Sequence, residues 1–200
     1  MKWEQDLTRD IRTNTSFDDE DEDRGIQRHY HGAVEFSDCN RSNLAEQFFK
    51  IRDNCTSILE IGVCRNQGAS STWTFLDNKL DTTAYVGIDL DDKSFLNNPD
   101  KRIYTIKNSS SDIKLNMGII NALGIQGFDF IFIDGWHSIN QVLVDWEYTQ
   151  WLNPGGIVAF HDVSCHPGPA RFVQALNKDI WNVVENTCPS DWGIGFAWKK

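Results

Sequence analysis

The sequence predicts an α/β protein with a doubly wound, mostly parallel sheet. Short segments that are apolar at almost every position alternate five times with stretches of helical spacing after residue 41. Such strands are typical of a parallel sheet that is covered by helices on both faces. The alternation ends in two apolar segments, 180–186 and 193–199, joined by a short loop, and strands joined so closely pair antiparallel. We therefore expect seven strands, with an antiparallel hairpin at the C-terminal end of the chain.

The individual elements follow in order along the chain. A first helix is predicted with Ser42 as its cap and apolar positions at Leu44, Phe48, Phe49 and Ile51. The predicted strands are 57–62, 85–89, 102–107, 128–134, 157–162, 180–186 and 193–199. Further helical stretches are predicted at 69–80, 111–123, 138–152 and 169–179.

The first 40 residues differ from the rest of the chain. Residues 18–23 read DDEDED, and residues 1–24 hold nine acidic and four basic residues. A run of like charges repels itself and usually stays solvated. We therefore divide the chain into an acidic, mobile arm at 1–40 and a folded domain at 41–200.

Charge and cysteine content indicate the partners and the compartment. With 19 basic and 29 acidic residues the chain carries a net charge of −10, so we expect neither a nucleic acid nor a membrane as partner. A small molecule is the expected partner, and homo-oligomerisation stays open.

The N-terminal residues MKWEQDLTRDIRT lack the apolar run of a secretory signal. The five scattered cysteines favour free thiols in a reducing cytoplasm over a disulfide framework.

Polar residues or glycines end each of the five strands of the alternating region. Ligands of open α/β sheets bind beyond the carboxyl ends of the strands, so these residues are expected to form one site. In chain order they are Glu60 and Gly62, Asp89, the turn Ser109–Asp112, the run Asp134-Gly135-Trp136-His137, and His161 with Asp162.

From about residue 56 to 199 the chain resembles the class I S-adenosylmethionine-dependent methyltransferases, which have a Rossmann-like sheet. ILEIGVCRNQG is similar to their first cofactor motif, and FDFIFIDGWH followed by LNPGGIVAFHD is similar to their fourth and fifth strands. The nearest likeness is to metal-dependent O-methyltransferases: the catechol enzymes, the macrocin-type sugar enzymes and the cephalosporin-hydroxylase-like group. The resemblance implies an enzyme that methylates a small hydroxylated substrate, such as a sugar or a catechol-like diol.

The resemblance implies S-adenosylmethionine as cofactor. This cofactor carries no phosphate, and the sequence has no GxGxxG phosphate turn, which disfavours a dinucleotide dehydrogenase. Each strand end then receives a role in holding one part of the cofactor. By this resemblance, Gly62 and Gly68 approach the methionine portion, Glu60 orients the loop or the cofactor amine, and Asp89 binds the ribose hydroxyls. Ser111 and Asp112 contact the adenine edge, and Trp136 covers the adenine face.

The same resemblance implies a divalent cation, Mg²⁺ or Mn²⁺, and a general base. Asp134, His161 and Asp162 align with the metal ligands, and His137 aligns with the base of the macrocin-type enzymes. Histidine at position 161 departs from the family pattern, because imidazole suits manganese, iron or zinc better than magnesium.

Each candidate also has a purely structural interpretation. Asp134 or Ser138 could cap the following helix, Trp136 could pack in the core, and the pair at 161–162 could be an ordinary polar strand end. His166 could line an acceptor pocket or be an ordinary loop residue. Two alternative functions stay open: a cofactor-binding domain without transfer activity, and a non-methyl reaction on the same fold.

Overall fold

The computed structural model describes residues 2–12, 36–63 and 70–200, and it contains a seven-stranded sheet of order β3-β2-β1-β4-β5-β7-β6. Strands β1 to β5 are parallel, and β7 runs antiparallel to both β5 and β6. This confirms the predicted doubly wound sheet and its C-terminal hairpin. The strands are β1 (Ser57–Ile61), β2 (Ala84–Asp89), β3 (Ile103–Lys107), β4 (Phe128–Ile133), β5 (Leu152–His161), β6 (Trp181–Val184) and β7 (Ile194–Lys199).

Five α-helices flank the sheet in the described part of the chain. They are α1 (Asp38–Phe49), α2 (Ser71–Asn78), α3 (Ile113–Ala122), α4 (Ile139–Trp146) and α5 (Pro167–Ala175). The predicted cap of the first helix is wrong: α1 begins four residues before Ser42, because the Ser37 hydroxyl accepts the Asn40 backbone N–H at 3.1 Å. Phe49, which the helical spacing predicted to lie on the buried face of this helix, is 48% exposed, whereas Leu44 and Phe48 are fully buried.

Large aromatic side chains fill the core on both faces of the sheet. One cluster packs Trp146 against Phe160, Phe172 and Trp181. The other contains Phe48, Phe75, Phe130 and Phe132. Because both faces are covered, the central strands have no polar face, which explains why they are apolar at almost every position.

The order of the strands reverses between β1 and β4, and this topological switch point is where open α/β sheets bind ligands. Gly62 follows β1 there with a φ of +85°, and a Cβ at this position would lie 1.9 Å from the carbonyl oxygen of Asp134. Glycine is therefore required by both the backbone conformation and the close approach of the two strand ends.

The N-terminal residues 2–12 pack against the sheet domain. Leu7 forms a β-bridge with Leu176, and the buried Asp6 carboxylate accepts the indole N–H groups of Trp146 and Trp181 at 3.2 and 3.0 Å. The acidic run at 18–23 lies outside the described residues, and the domain boundary at residue 40 stays a prediction.

A disulfide joins Cys39 in α1 to Cys188 in the segment between β6 and β7. The expectation of free thiols throughout is therefore wrong. The two residues are 149 positions apart, so only the folded chain brings them together. Cys55 and Cys165 are buried free thiols, and Cys64 lies outside the described residues. Within the described ranges, no helix combines the length and apolar character that crossing a membrane requires.

Candidate active site

The ends of β4 and β5 bring two carboxylates and two imidazoles together. His161 Nδ1 lies 3.0 Å from Asp134 Oδ1 and 3.3 Å from Asp162 Oδ1. His137 Nε2 lies 2.7 Å from the other oxygen of Asp162, Oδ2. Asp162 therefore stands between the two imidazoles, with one carboxylate oxygen directed to each.

The charges of this cluster stabilise one another. Burial alone would lower the pKa of His161, but the carboxylates of Asp162 and Asp134 raise it well above its usual value. Burial likewise acts to raise the pKa of Asp162, but His161 and His137 hold it well below its usual value. Both residues are only 4% exposed, so these ionic contacts are shielded from water.

Backbone geometry fixes both strand ends. Asp162 adopts a left-handed conformation with a φ of +63°, which is uncommon outside glycine and is found at functional sites. Gly168 in α5 lies against the loop after β4: a Cβ there would be 1.9 Å from the carbonyl oxygen of His137. These contacts hold the two strand-end segments side by side.

The helix-cap interpretation of Asp134 does not fit this geometry. The Ser138 hydroxyl accepts the backbone N–H of Gln141 at 3.1 Å and so caps α4. The Asp134 carboxylate is instead paired with His161.

Two overlapping sets of side chains have the spacing of a metal site. Within each set the potential ligand atoms lie within 4.8 Å of one another. The first set is Asp134, His161 and Asp162, and the second is His137, Asp162 and His166. Two carboxylates with one imidazole suit manganese, iron or zinc. His166 is 3% exposed and its ring stacks on that of His137, with centroids 3.9 Å apart.

The Asp89 carboxylate ties the end of β2 to the segment that follows β1. Its Oδ2 accepts the Val63 backbone N–H at 2.8 Å, and its Oδ1 accepts that of Asp91 at 2.7 Å. Lys93 Nζ lies 3.9 Å from the same carboxylate. Asp89 and Gly62 thus lie close together, whereas Gly68 lies outside the described residues.

Glu60 is fully buried and bonded to its own chain. Its carboxylate accepts the hydroxyls of Ser71, Tyr85 and Thr72, the last at 2.9 Å. Burial raises the pKa of Glu60 to about 7, although the three hydroxyls partly oppose that shift. In this arrangement Glu60 joins β1 to α2 and β2.

The predicted adenine contacts lie at the ends of β3 and β4. The Ser111 hydroxyl donates to Gln141 Oε1 at 3.2 Å, and Asp112 is the exposed residue that precedes α3. Trp136 is 48% exposed and is therefore not a core residue. Their roles in binding the cofactor stay predictions.

Sequence reasoning missed two residues of the site because it placed them in the arm. Asn40 has no exposed surface, and its Nδ2 lies 3.0 Å from His161 Nε2. The ring of Phe36 lies with its centroid 5.0 Å from that of His161. The available signal was the helical spacing of 40, 44 and 48, all buried on one face of α1.

Comparison with known proteins gives the family of the chain and the class of its fold. The family described as a methyltransferase domain matches residues 59–163, just over half of the chain. No curated protein matches. Among solved structures, the mycinamycin-pathway methyltransferase MycE, in complex with Mg, SAH and mycinamycin VI, has a TM-score of 0.60 at 19% identity over 88% of this chain. Our chain spans only 53% of MycE, about half its length.

Two further structures match over almost their whole lengths. An O-methyltransferase from Bacillus cereus in complex with SAH has a TM-score of 0.60 at 17% identity, covering 95% of this chain and 94% of its own. The O-methyltransferase TomG from Streptomyces achromogenes, in complex with SAM, has a TM-score of 0.58 at 18% identity, covering 91% of this chain and 90% of its own. The fold is thus that of the S-adenosylmethionine-dependent methyltransferases. The chain belongs to the methyltransferase domain family, which confirms the resemblance seen in the sequence.

Proposed function

We propose that this protein transfers a methyl group from S-adenosylmethionine to a hydroxyl of a small molecule, with a divalent cation at the site. One observation carries the proposal: Asp134, His161 and Asp162 present ligand atoms within 4.8 Å of one another at the strand ends. His137 adjoins them, 2.7 Å from Asp162. Groups that can bind a cation, next to an imidazole that can take up a proton, are what activation of a hydroxyl requires.

The chain's own residues would align the acceptor and take up its proton. Methyl transfer from a sulfonium is an in-line displacement, so the acceptor oxygen must be positioned and at least partly deprotonated. Asp162 Oδ2 lies 2.7 Å from Nε2 of His137 and orients that imidazole, to which we assign the role of general base. A bound cation would hold the acceptor oxygen and lower its pKa.

The ligand set indicates which cation fits. Asp134 and Asp162 offer hard carboxylate oxygens, whereas the His161 imidazole favours Mn²⁺, Fe²⁺ or Zn²⁺ over Mg²⁺. Mg is present in the MycE structure, which keeps Mg²⁺ as the comparison ion. We take Mn²⁺ as the first ion to test.

We further propose a sugar or a catechol-like diol as the acceptor, with neither nucleic acid nor membrane as partner. The MycE structure, which includes mycinamycin VI, supports a small-molecule acceptor. The net charge of −10 disfavours polyanionic partners. The cytoplasmic location expected from the sequence rested on free thiols. The Cys39–Cys188 disulfide removes that support, because disulfides persist mainly in oxidising compartments.

The direct test combines cofactor binding with cation binding. Calorimetry with S-adenosylhomocysteine is carried out in chelator and again with added Mn²⁺ or Mg²⁺, on the wild type and on Asp134→Asn and His137→Gln. We expect cofactor binding in all three proteins, no cation heat in Asp134→Asn, and no methyl transfer to a panel of sugars and diols in either variant. Asp100→Asn, which changes one exposed carboxylate away from these strand ends, is the matched control.

Three outcomes separate the candidate functions. Absence of cofactor binding to the wild type would overturn the proposal as a whole. Cofactor binding without transfer to any hydroxylated acceptor favours the binding domain without transfer activity. Turnover of an acceptor without a methylated product favours the non-methyl reaction on the same fold.

A further inference from the structure

We infer that Asn40 is a positioning residue: its side-chain carbonyl accepts the Nε2 proton of His161 and so leaves Nδ1 of the imidazole as the ligand for a transition-metal cation. The inference rests on the proposed function only for the cation itself. The protonation of the His161 imidazole can be measured without a bound cation.

The contacts around His161 define the question. Asn40 faces one nitrogen of the ring, at 3.0 Å from Nε2, and has no exposed surface. The other nitrogen, Nδ1, lies 3.0 Å from an oxygen of Asp134 and 3.3 Å from one of Asp162. An imidazole that binds a cation through Nδ1 is neutral and keeps its single proton on Nε2, so the group facing Nε2 decides whether Nδ1 can be a ligand.

The Asn40 amide has two orientations with opposite consequences. If Nδ2 faces the ring, it donates to a bare Nε2, and Nδ1 must then carry the proton and cannot bind a cation. In that orientation Oδ1 is buried with no hydrogen-bond partner among the described residues. Half a turn of the amide, which barely changes its shape, gives the carbonyl the Nε2 N–H as its donor.

The second orientation suits the surroundings of Nδ1. When a cation is bound, Nδ1 and the two carboxylates direct their lone pairs toward it, and Nδ1 must then be unprotonated. Histidines that bind metals usually donate their other ring N–H to a carbonyl or carboxylate, which fixes the ring and its tautomer. The Asn40 carbonyl, fully enclosed, has that relation to His161.

The first turn of α1 is anchored well enough for this task. Ser37 caps the helix, and Cys39, the neighbour of Asn40, is tied by the disulfide to Cys188. One turn further on, Asn43 Nδ2 donates to the Cys39 carbonyl at 2.8 Å. Because the backbone on both sides of Asn40 is held, its amide can keep a constant position relative to the imidazole.

Two substitutions separate the acceptor role from a merely structural one. Asn40→Asp keeps an acceptor and removes the donor, whereas Asn40→Leu keeps the approximate shape and removes both. With Mn²⁺ alone as the probe, followed by its paramagnetic resonance signal, we expect Asn40→Leu to bind 10- to 100-fold more weakly and Asn40→Asp to retain binding. Gln47→Leu, which removes an amide further along the same helix whose oxygen accepts a hydrogen bond from the exposed Lys50, is the matched control, and cofactor binding by each variant reports whether it is folded.

Nitrogen NMR of His161 in the metal-free protein gives an independent readout. Without a cation, the two carboxylates beside Nδ1 favour a proton there as well, so we expect a charged ring with protons on both nitrogens in the wild type and loss of the Nε2 proton in Asn40→Leu. A neutral ring with a bare Nε2 and a proton on Nδ1 would overturn the inference, as would wild-type Mn²⁺ affinity in Asn40→Leu. If the wild type bound no cation, the cation part of the proposed function would fail, and the NMR spectrum would still decide the role of Asn40.

Discussion

The Cys39–Cys188 disulfide should make a large contribution to stability. It closes a loop between residues 149 positions apart. In the chain-entropy description, a disulfide removes conformational freedom from the unfolded chain roughly in proportion to the logarithm of loop length, which for a loop of this size is about 5 kcal/mol. Engineered and native disulfides often give less, so we expect a loss of about 2–5 kcal/mol when the bond is reduced.

Urea unfolding followed by tryptophan fluorescence measures this loss. The eight tryptophans, of which Trp146 and Trp181 are fully buried, provide the signal. The wild type is unfolded with and without a phosphine reductant, beside the double variant Cys39→Ser, Cys188→Ser. Reduction should lower the free energy of unfolding of the wild type to about that of the variant and should leave the variant unchanged, since Cys55 and Cys165 are thiols in both proteins.

A wild-type change below about 1 kcal/mol on verified reduction would refute this reasoning. It would mean that α1 is held by its packing alone or that the unfolded chain is already restricted.

Reduction should also weaken Mn²⁺ binding, because Cys39 is next to Asn40 and anchors its helix turn. Unchanged Mn²⁺ affinity in the reduced protein would show that Ser37 and Phe36 suffice to hold that turn.

Two further predictions concern positions near the strand ends. Gly62→Ala should destabilise the protein by several kcal/mol, since the new Cβ would lie 1.9 Å from the Asp134 carbonyl oxygen at a φ of +85°. Urea unfolding measures this loss. The control is Gly118→Ala, at a position where a Cβ meets nothing within 4 Å. Burial raises the pKa of Asp145 from 3.8 to about 6, with Ser110 and Gln141 opposing the shift. The folded protein therefore binds the Asp145 proton more tightly than the unfolded chain, so this group lowers stability as the pH rises from about 4 to 6, by about 3 kcal/mol in total. The free energy of unfolding of Asp145→Asn minus that of the wild type should rise over that pH window, and a difference that stays flat with pH would contradict the assignment.

The architecture was largely predictable because its signals are local. The apolar runs at 57–62 and 128–134 indicated buried strands, and the glycines and polar residues after them indicated strand ends. Asp134, His161 and Asp162 were predicted together because the carboxyl ends of neighbouring parallel strands meet at one edge of the sheet. The structure confirms that convergence, while their roles as ligands stay predictions.

The contacts made by the start of α1 were not predictable in the same way. Asn40 and Cys39 lie in the first turn of α1, whereas the local capping signals predicted a helix that starts after Ser42. Their partners, His161 and Cys188, lie more than 120 positions further along the chain. Nothing in the local sequence encodes a pairing of that range. The sequence by itself determined the alternation of strands and helices and the set of polar strand ends, because those depend on neighbouring residues. Only the tertiary structure decided which imidazole nitrogen faces which partner and which cysteines meet, because such pairings depend on how distant elements pack against one another.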